Sequence, residues 1–302
     1  MFVASMPYEM LYDIGNIAIY VFVLSSMFLT GLMVTVGDLV APVRNRRLLT
    51  LSLVSNFILV PLIALTLIAL IPMNPELAAG LLLVSIAAGA PSTAKVAQIT
   101  GGNMAQAVSM TILLTIITIM IMPLFLPLIL EGADAHPLYV LANLVVLILI
   151  PILIGILVKS RSAPLAARLR PMMDWVSNLS IAAIFLTYGV IFLASIGGIV
   201  STSTGATAVF VAILFTFAAL ALTYVLGSFE KDARMDLAFG AGFRNITAAL
   251  VVVFAAFTDV QNDVFLMVLM VSIFAVIIVS ILVGIIFKKQ RDARKKAKGS
   301  GA

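Results

Sequence analysis

The chain has 302 residues, 63% of them apolar and only 10% charged, with a mean hydropathy of +1.23; a soluble domain carries about a quarter charged residues, so an all-α polytopic membrane protein is expected. The absence of cysteine excludes disulfides, thiolate metal sites and cysteine nucleophiles. The formal net charge of +5 does not point to nucleic acid, because much of the excess lies in the tail "KKQRDARKKAKGSGA", a juxtamembrane run of the kind that faces anionic lipid.

In chain order, the N-terminal stretch "MFVASMPYEMLYDIGN" has neither a basic region nor a short apolar run with a cleavage site, so no cleaved signal peptide is expected. A spanning helix needs about 20 mainly apolar residues. That template is met at residues 14–37, 47–71, 76–100, 103–130, 137–158, 173–196, 204–228, 233–257 and 262–287, which predicts nine transmembrane helices. The junctions on one side hold Arg44, Arg46 and Arg47, then Lys159, Arg161, Arg168 and Arg170, then Lys231 and Arg234, and the tail holds seven more basic residues. The loops on the other side, "MNPE", "EGADAH", "GGIVSTST" and "TDVQND", hold none. Basic residues stay on the cytoplasmic side, so the N-terminus is expected outside and the C-terminus inside, in a prokaryotic inner (plasma) membrane.

Of the 18 Lys and Arg residues, 16 belong to these junctions and the tail, and the two left, Lys95 and Arg244, fall in the interior of predicted spans. Both spans are interrupted by small and polar residues: Gly89, Pro91, Ser92 and Thr93 in the third, Gly240, Gly242, Asn245 and Thr247 in the eighth. Laying residues 14–130 against 173–287 aligns these two spans with opposite topology and leaves 137–158 unpaired and 288–302 as a basic cytoplasmic tail. Discontinuous helices at matching places in an inverted repeat point to a transporter's midplane site. Non-helical backbone at that depth needs protein or water around it, so the two breaks should face each other.

An intramembrane cation needs compensation. All the acidic residues, Asp174 and Asp236 among them, lie in loops or at span ends. The partners left are carbonyl dipoles, water and a bound anion, and a bound organic anion is the favoured substrate. The bland alternatives are that Lys95 snorkels to the interface, that Pro61, Pro123, Pro127 and Pro151 merely kink their helices, and that Gly89, Gly240 and Gly242 merely allow close packing. Thr111, Thr115 and Thr118 share one helix face, where such hydroxyls often bond their own backbone. His136 is expected to be solvated in an outside loop.

Four stretches together resemble the bile acid:sodium symporter family: "SSMFLTGLMVTVGDL" in the first span, "SNFILVP" in the second, "APSTAKVAQITGGN" and "GAGFRN". The resemblance implies a core domain, in which two unwound helices cross, and a panel domain, in a nine-span form lacking the first of ten helices. It also implies sodium-driven movement of organic anions. Carried over residue by residue, however, the family's Ser-Asn pair falls on Ala94 and Lys95, the hydroxyls of the next helix on Ala107 and Thr111, its acidic residue on Gly240, and its two glutamines on Arg244 and Asn56. Neither sodium site is intact in this sequence.

The expectation is therefore a secondary or facilitative transporter of small organic anions (carboxylates or sulfonates), sodium-independent because Lys95 and Arg244 replace the two sodium ions near Ala94 and Gly240, with a proton as a possible coupling ion. Lys95, Arg244, Asn245, Thr93, Ser92, Thr111 and Asn56 are the expected substrate-lining residues. No cofactor, metal or nucleic acid is expected, and monomer or homodimer stays open. Two alternatives remain, a conventional sodium-coupled symporter and a non-transporting membrane sensor or scaffold. An enzyme is not expected, because the spans hold no histidine or cysteine and no carboxylate away from their ends.

Overall fold

The computed structural model describes residues 8–37, 45–93, 96–97, 104–129, 137–199, 203–227, 234–256 and 263–299. Lys95, Ala94 and His136 lie outside them. Among the described residues every regular element is helical: α1 (Tyr8–Gly31), α2 (Arg46–Leu70), α3 (Pro75–Ile86), α4 (Met104–Ile129), α5 (Pro137–Arg161), α6 (Ala163–Ile199), α7 (Ser203–Leu226), α8 (Arg234–Gly242), α9 (Ile246–Ala256) and α10 (Asp263–Gly299). Among the described residues, seven stretches are long and apolar enough to cross a membrane, with α8 and α9 forming one of them. The third expected span is present as the short apolar helix α3 and the break after it, and the sixth lies within α6. α10 continues helically through the basic tail to Gly299.

Local chemistry sets several of these boundaries. Asn45 and Asn74 cap α2 and α3, their Oδ1 atoms accepting from the N–H groups of Leu48 (3.0 Å) and Leu77 (2.8 Å), and Pro75 follows where a missing N–H is harmless. Inside α2 and α5, Pro61 and Pro151 deny the carbonyl four residues back its donor. Each helix widens into a π turn ending two residues before the proline, at Ser55–Leu59 and Val145–Leu149. Such turns are frequent at functional positions.

α1 packs against α6 and the second half of α5. Gly31 and Gly155 make the α1–α5 crossing possible, because a Cβ on either would meet the backbone of the facing helix at Ile152 or Phe28. α3 and α7 both pack on α10, α8 packs on α7, and the first half of α5 leans on α4 and α9. A continuous aliphatic core, including Leu81, Leu83, Val84, Val252, Val268 and Val271, joins these elements. Outward-facing apolar side chains such as Leu62, Leu153, Phe210 and Phe217 are exposed, as a lipid-facing surface requires.

Candidate functional site

The site is built where α3 and α8 stop. α3 ends at Ile86, and the chain runs without regular structure through Ala87–Ala90 before turning helical again at Ser92. α8 ends at Gly242 and α9 begins at Ile246, leaving Phe243, Arg244 and Asn245 between them. The two breaks touch directly: the backbone N–H of Asn245 donates to the carbonyl of Ala87 at 2.7 Å. The sequence expectation that the interrupted segments face each other thus describes what the backbone does.

Arg244 is only 2% exposed and is the largest of the fully buried side chains. Its Nε donates to the Val84 carbonyl (3.1 Å), one terminal nitrogen to Asn56 Oδ1 (2.7 Å) and, at 3.5 Å, to the Ala241 carbonyl, and the other to the Ser85 carbonyl (2.6 Å). Val84 and Ser85 belong to the last turn of α3, whose carbonyls lack the regular donor four residues on, although that of Val84 also accepts from the Ala87 N–H at 3.1 Å. The guanidinium therefore caps the C-terminus of the facing half-helix, where the helix dipole favours a cation. Asn56 sits in the π turn of α2 and donates its own Nδ2 to the Ser52 carbonyl at 2.9 Å, which leaves Oδ1 aimed at Arg244. Pro61 is thus more than a kink, since the π turn ahead of it contains the residue that receives Arg244.

Asn245 is fully buried and caps the following helix, its Oδ1 accepting from the Ala248 N–H at 3.1 Å. Its Nδ2 reaches Thr115 Oγ1 at 3.4 Å. Thr115 Oγ1 lies 3.0 Å from the Gly89 carbonyl and 2.9 Å from that of Thr111. Thr118 accepts from the Ala88 N–H at 3.0 Å and lies 3.2 Å from the Ala88 carbonyl. The threonine face of α4 therefore does more than bond its own helix: it satisfies the unwound backbone after α3. Gly89 has φ +84°, and a Cβ there would lie 2.6 Å from the Thr111 carbonyl, so both conformation and space require glycine. Gly240 is different, with its nearest neighbour for a Cβ at 3.9 Å.

Two cavities flank the crossing. The larger, about 1200 Å³, lies between α1 and α6 on one side and the tips of both breaks on the other; Ser26, Thr30, Ser92, Ser177, Arg244 and Thr247 are among its polar lining. The smaller, about 450 Å³, is lined by Ser52, Asn56, Thr93, Thr111, Asp236 and Gly240 together with apolar residues of α2 and α4. The expected site residues are thus divided. Ser92 and Arg244 border the larger cavity, Thr93, Thr111, Asn56 and Gly240 the smaller, and Asn245 is buried between the helices.

Two of the carboxylates expected at span ends border the cavities. Asp174 and Asn178 of α6 line the larger cavity, and Asp236 of α8 lines the smaller. Asp236 lies four residues before Gly240 and so on the same helix face, a spacing that a search of the broken span for polar residues one turn away would have found.

The match to known families decides the class. Residues 19–202 match the Sodium Bile acid symporter family. The chain belongs to that family. A search of curated individual proteins gives no match. Sodium bile acid symporter family membership makes the protein a secondary transporter rather than an enzyme, in a membrane setting and with organic anions as the implied substrates.

Proposed function

We propose that the protein moves small organic anions, carboxylates or sulfonates, by alternating access, and does so without sodium because Arg244 supplies the positive charge that joins the two broken helices. The observation that carries this reading is the set of four acceptors, drawn from α2, α3 and α8, around one buried guanidinium. A bound cation would be held by similar oxygens, and here they are already occupied by N–H donors. In this reading Lys95 takes the place of the other sodium ion, a role resting on its position in the sequence.

The nine-span inverted repeat, with 14–130 and 173–287 as its halves, is part of the same proposal. So is the orientation given by the basic loops. In that orientation the halves of α1 and α6 that line the larger cavity are the cytoplasmic ones, which makes this an inward-facing state. The anion preference has support in the backbone. The residues that open the helical turns after each break, Ser92 on one side and Ile246 and Thr247 on the other, border the larger cavity, and helix N-termini favour negative charge.

The test has two stages. A thermal-shift screen of purified protein against small carboxylates and sulfonates, with sodium or N-methylglucamine as the only monovalent cation, identifies a ligand. Uptake of that ligand into proteoliposomes then follows. The expected result is uptake of equal rate in both cations. Uptake that requires an inward sodium gradient would establish the competing reading, a conventional sodium symporter.

A further inference from the structure

We infer that the smaller cavity is a proton site and that Asp236 is its proton-carrying group. This deepens the transport reading and rests on it. Two buried oxygens border this one cavity without a hydrogen-bond partner among the described residues: Asp236 Oδ1 and Thr93 Oγ1, the latter on a side chain only 5% exposed. Orphaned buried polar atoms are rare in folded proteins, and two around one cavity call for a guest.

Among the described residues, the charges nearby do not supply it. Arg234, on the same helix, is turned away, its guanidinium 3.7 Å from the Tyr224 ring centroid and its Nε donating to the Tyr224 carbonyl at 2.8 Å. Arg244 is committed to the acceptors described above. On the elements packed against α8, the ionisable residues are Arg46 and Arg47 at the start of α2, Tyr224 on α7, and on α10 Asp263 at the N-terminus and the charged residues from Lys288 onward. No hydrogen bond or ion pair joins any described one of these to Asp236.

A metal cation fits this donor set poorly. Hard cations take several oxygens, whereas Asn56 Oδ1 already accepts from Arg244. The remaining side-chain oxygens on the wall come from Ser52, Thr93, Gln106, Thr111 and Asp236, and only Asp236 brings a negative charge, so a divalent cation there would leave a buried net charge. A proton needs only that carboxylate. Asp236 takes it from hydronium, leaving water, and returns it to water when the cavity opens on the other side, so no other reactant is required. A neutral carboxyl is also far less costly to occlude than a carboxylate. Protonation would thus license closure of α8 over the cavity, two helical turns from the crossing at Arg244.

Infrared difference spectra of the full-length protein in lipid, stepped between about pH 5 and 9, test this without any substrate. The expected result is a carboxylic-acid C=O band that titrates in wild type, is missing in Asp236→Asn, moves in Asp236→Glu and shifts in Thr93→Val. Identical wild-type and Asp236→Asn spectra would overturn the assignment. So would a band removed at fixed pH by sodium chloride but not by N-methylglucamine chloride, which would make the cavity a metal-cation site. If Asp236→Asn does not fold, the shifted band of Asp236→Glu decides. Absence of anion flux would sink the transport reading and leave these spectra unchanged, so the two failures are separable.

Discussion

At the scale of single residues, the pair Arg244–Asn245 shows how two neighbours close the ends of two different helices. Arg244 caps α3 from across the crossing, and Asn245 caps α9 from within its own chain segment. Removing the guanidinium strands buried acceptors, each costing on the order of 1–3 kcal/mol. Arg244→Ala is therefore expected to destabilise the protein by about 3 kcal/mol and to lower its melting temperature by roughly 5 °C or more. Arg244→Lys, which keeps the charge but not the fork of donors, should recover only part of that loss. Thermal unfolding in detergent measures both, and an Arg244→Ala protein that melts with wild type would show that the guanidinium does not hold the two broken helices together. Asn245→Ala loses a helix cap worth about 1 kcal/mol, and its smaller shift in the same assay separates the two roles.

At the scale of elements, the interruptions matter more than the helices. Gly89 and Gly240 both stand in broken spans, and the sequence gives them the same weight. The backbone separates them: Gly89 combines positive φ with contact against α4, while Gly240 has room for a methyl group. Gly89→Ala is expected to abolish or sharply reduce folded protein, whereas Gly240→Ala should be recovered at near wild-type yield with a similar melting temperature. Monodisperse protein from gel filtration scores both, and equal tolerance at the two positions would contradict the packing described. The same contrast explains how much could be read in advance. Span positions and the two breaks are legible because lipid enforces long apolar runs and penalises their interruption. The importance of Arg244 was legible because so few charges occur there. What was hidden depends on three-dimensional neighbours: that Thr115 and Thr118 serve another segment's backbone, that a π turn aims Asn56, and that Asp236, an ordinary span-end acid in sequence, borders a cavity with its Oδ1 unpartnered among the described residues.

At the scale of the molecule, the cavities lie unevenly about the crossing. The larger one is walled by Ser177, Ile181 and Ile184 of α6 and by α1 from Phe22 to Met33. Toward the start of α1, by contrast, Leu11 and Ile19 are almost fully buried. In the orientation proposed above, this asymmetry makes the route from the larger cavity lead inward, while the half of the molecule at the start of α1 holds only a small pocket lined by Ile19, Tyr20, Tyr139 and Val251. The absence of cysteine makes the expectation directly measurable, since a single introduced thiol has no background. Ile181→Cys should react with a membrane-impermeant maleimide in inside-out vesicles at least about tenfold faster than in right-side-out vesicles. Leu11→Cys should stay protected on both sides. A rate difference of that size corresponds to about 1.4 kcal/mol between accessible and occluded states. Faster labelling of Ile181→Cys from the outer face would mean either that the orientation is reversed or that the outward-facing state dominates. The reactivity of a cysteine placed in the C-terminal tail, at Ser300, would tell these apart, because the tail's side of the membrane does not change during the transport cycle.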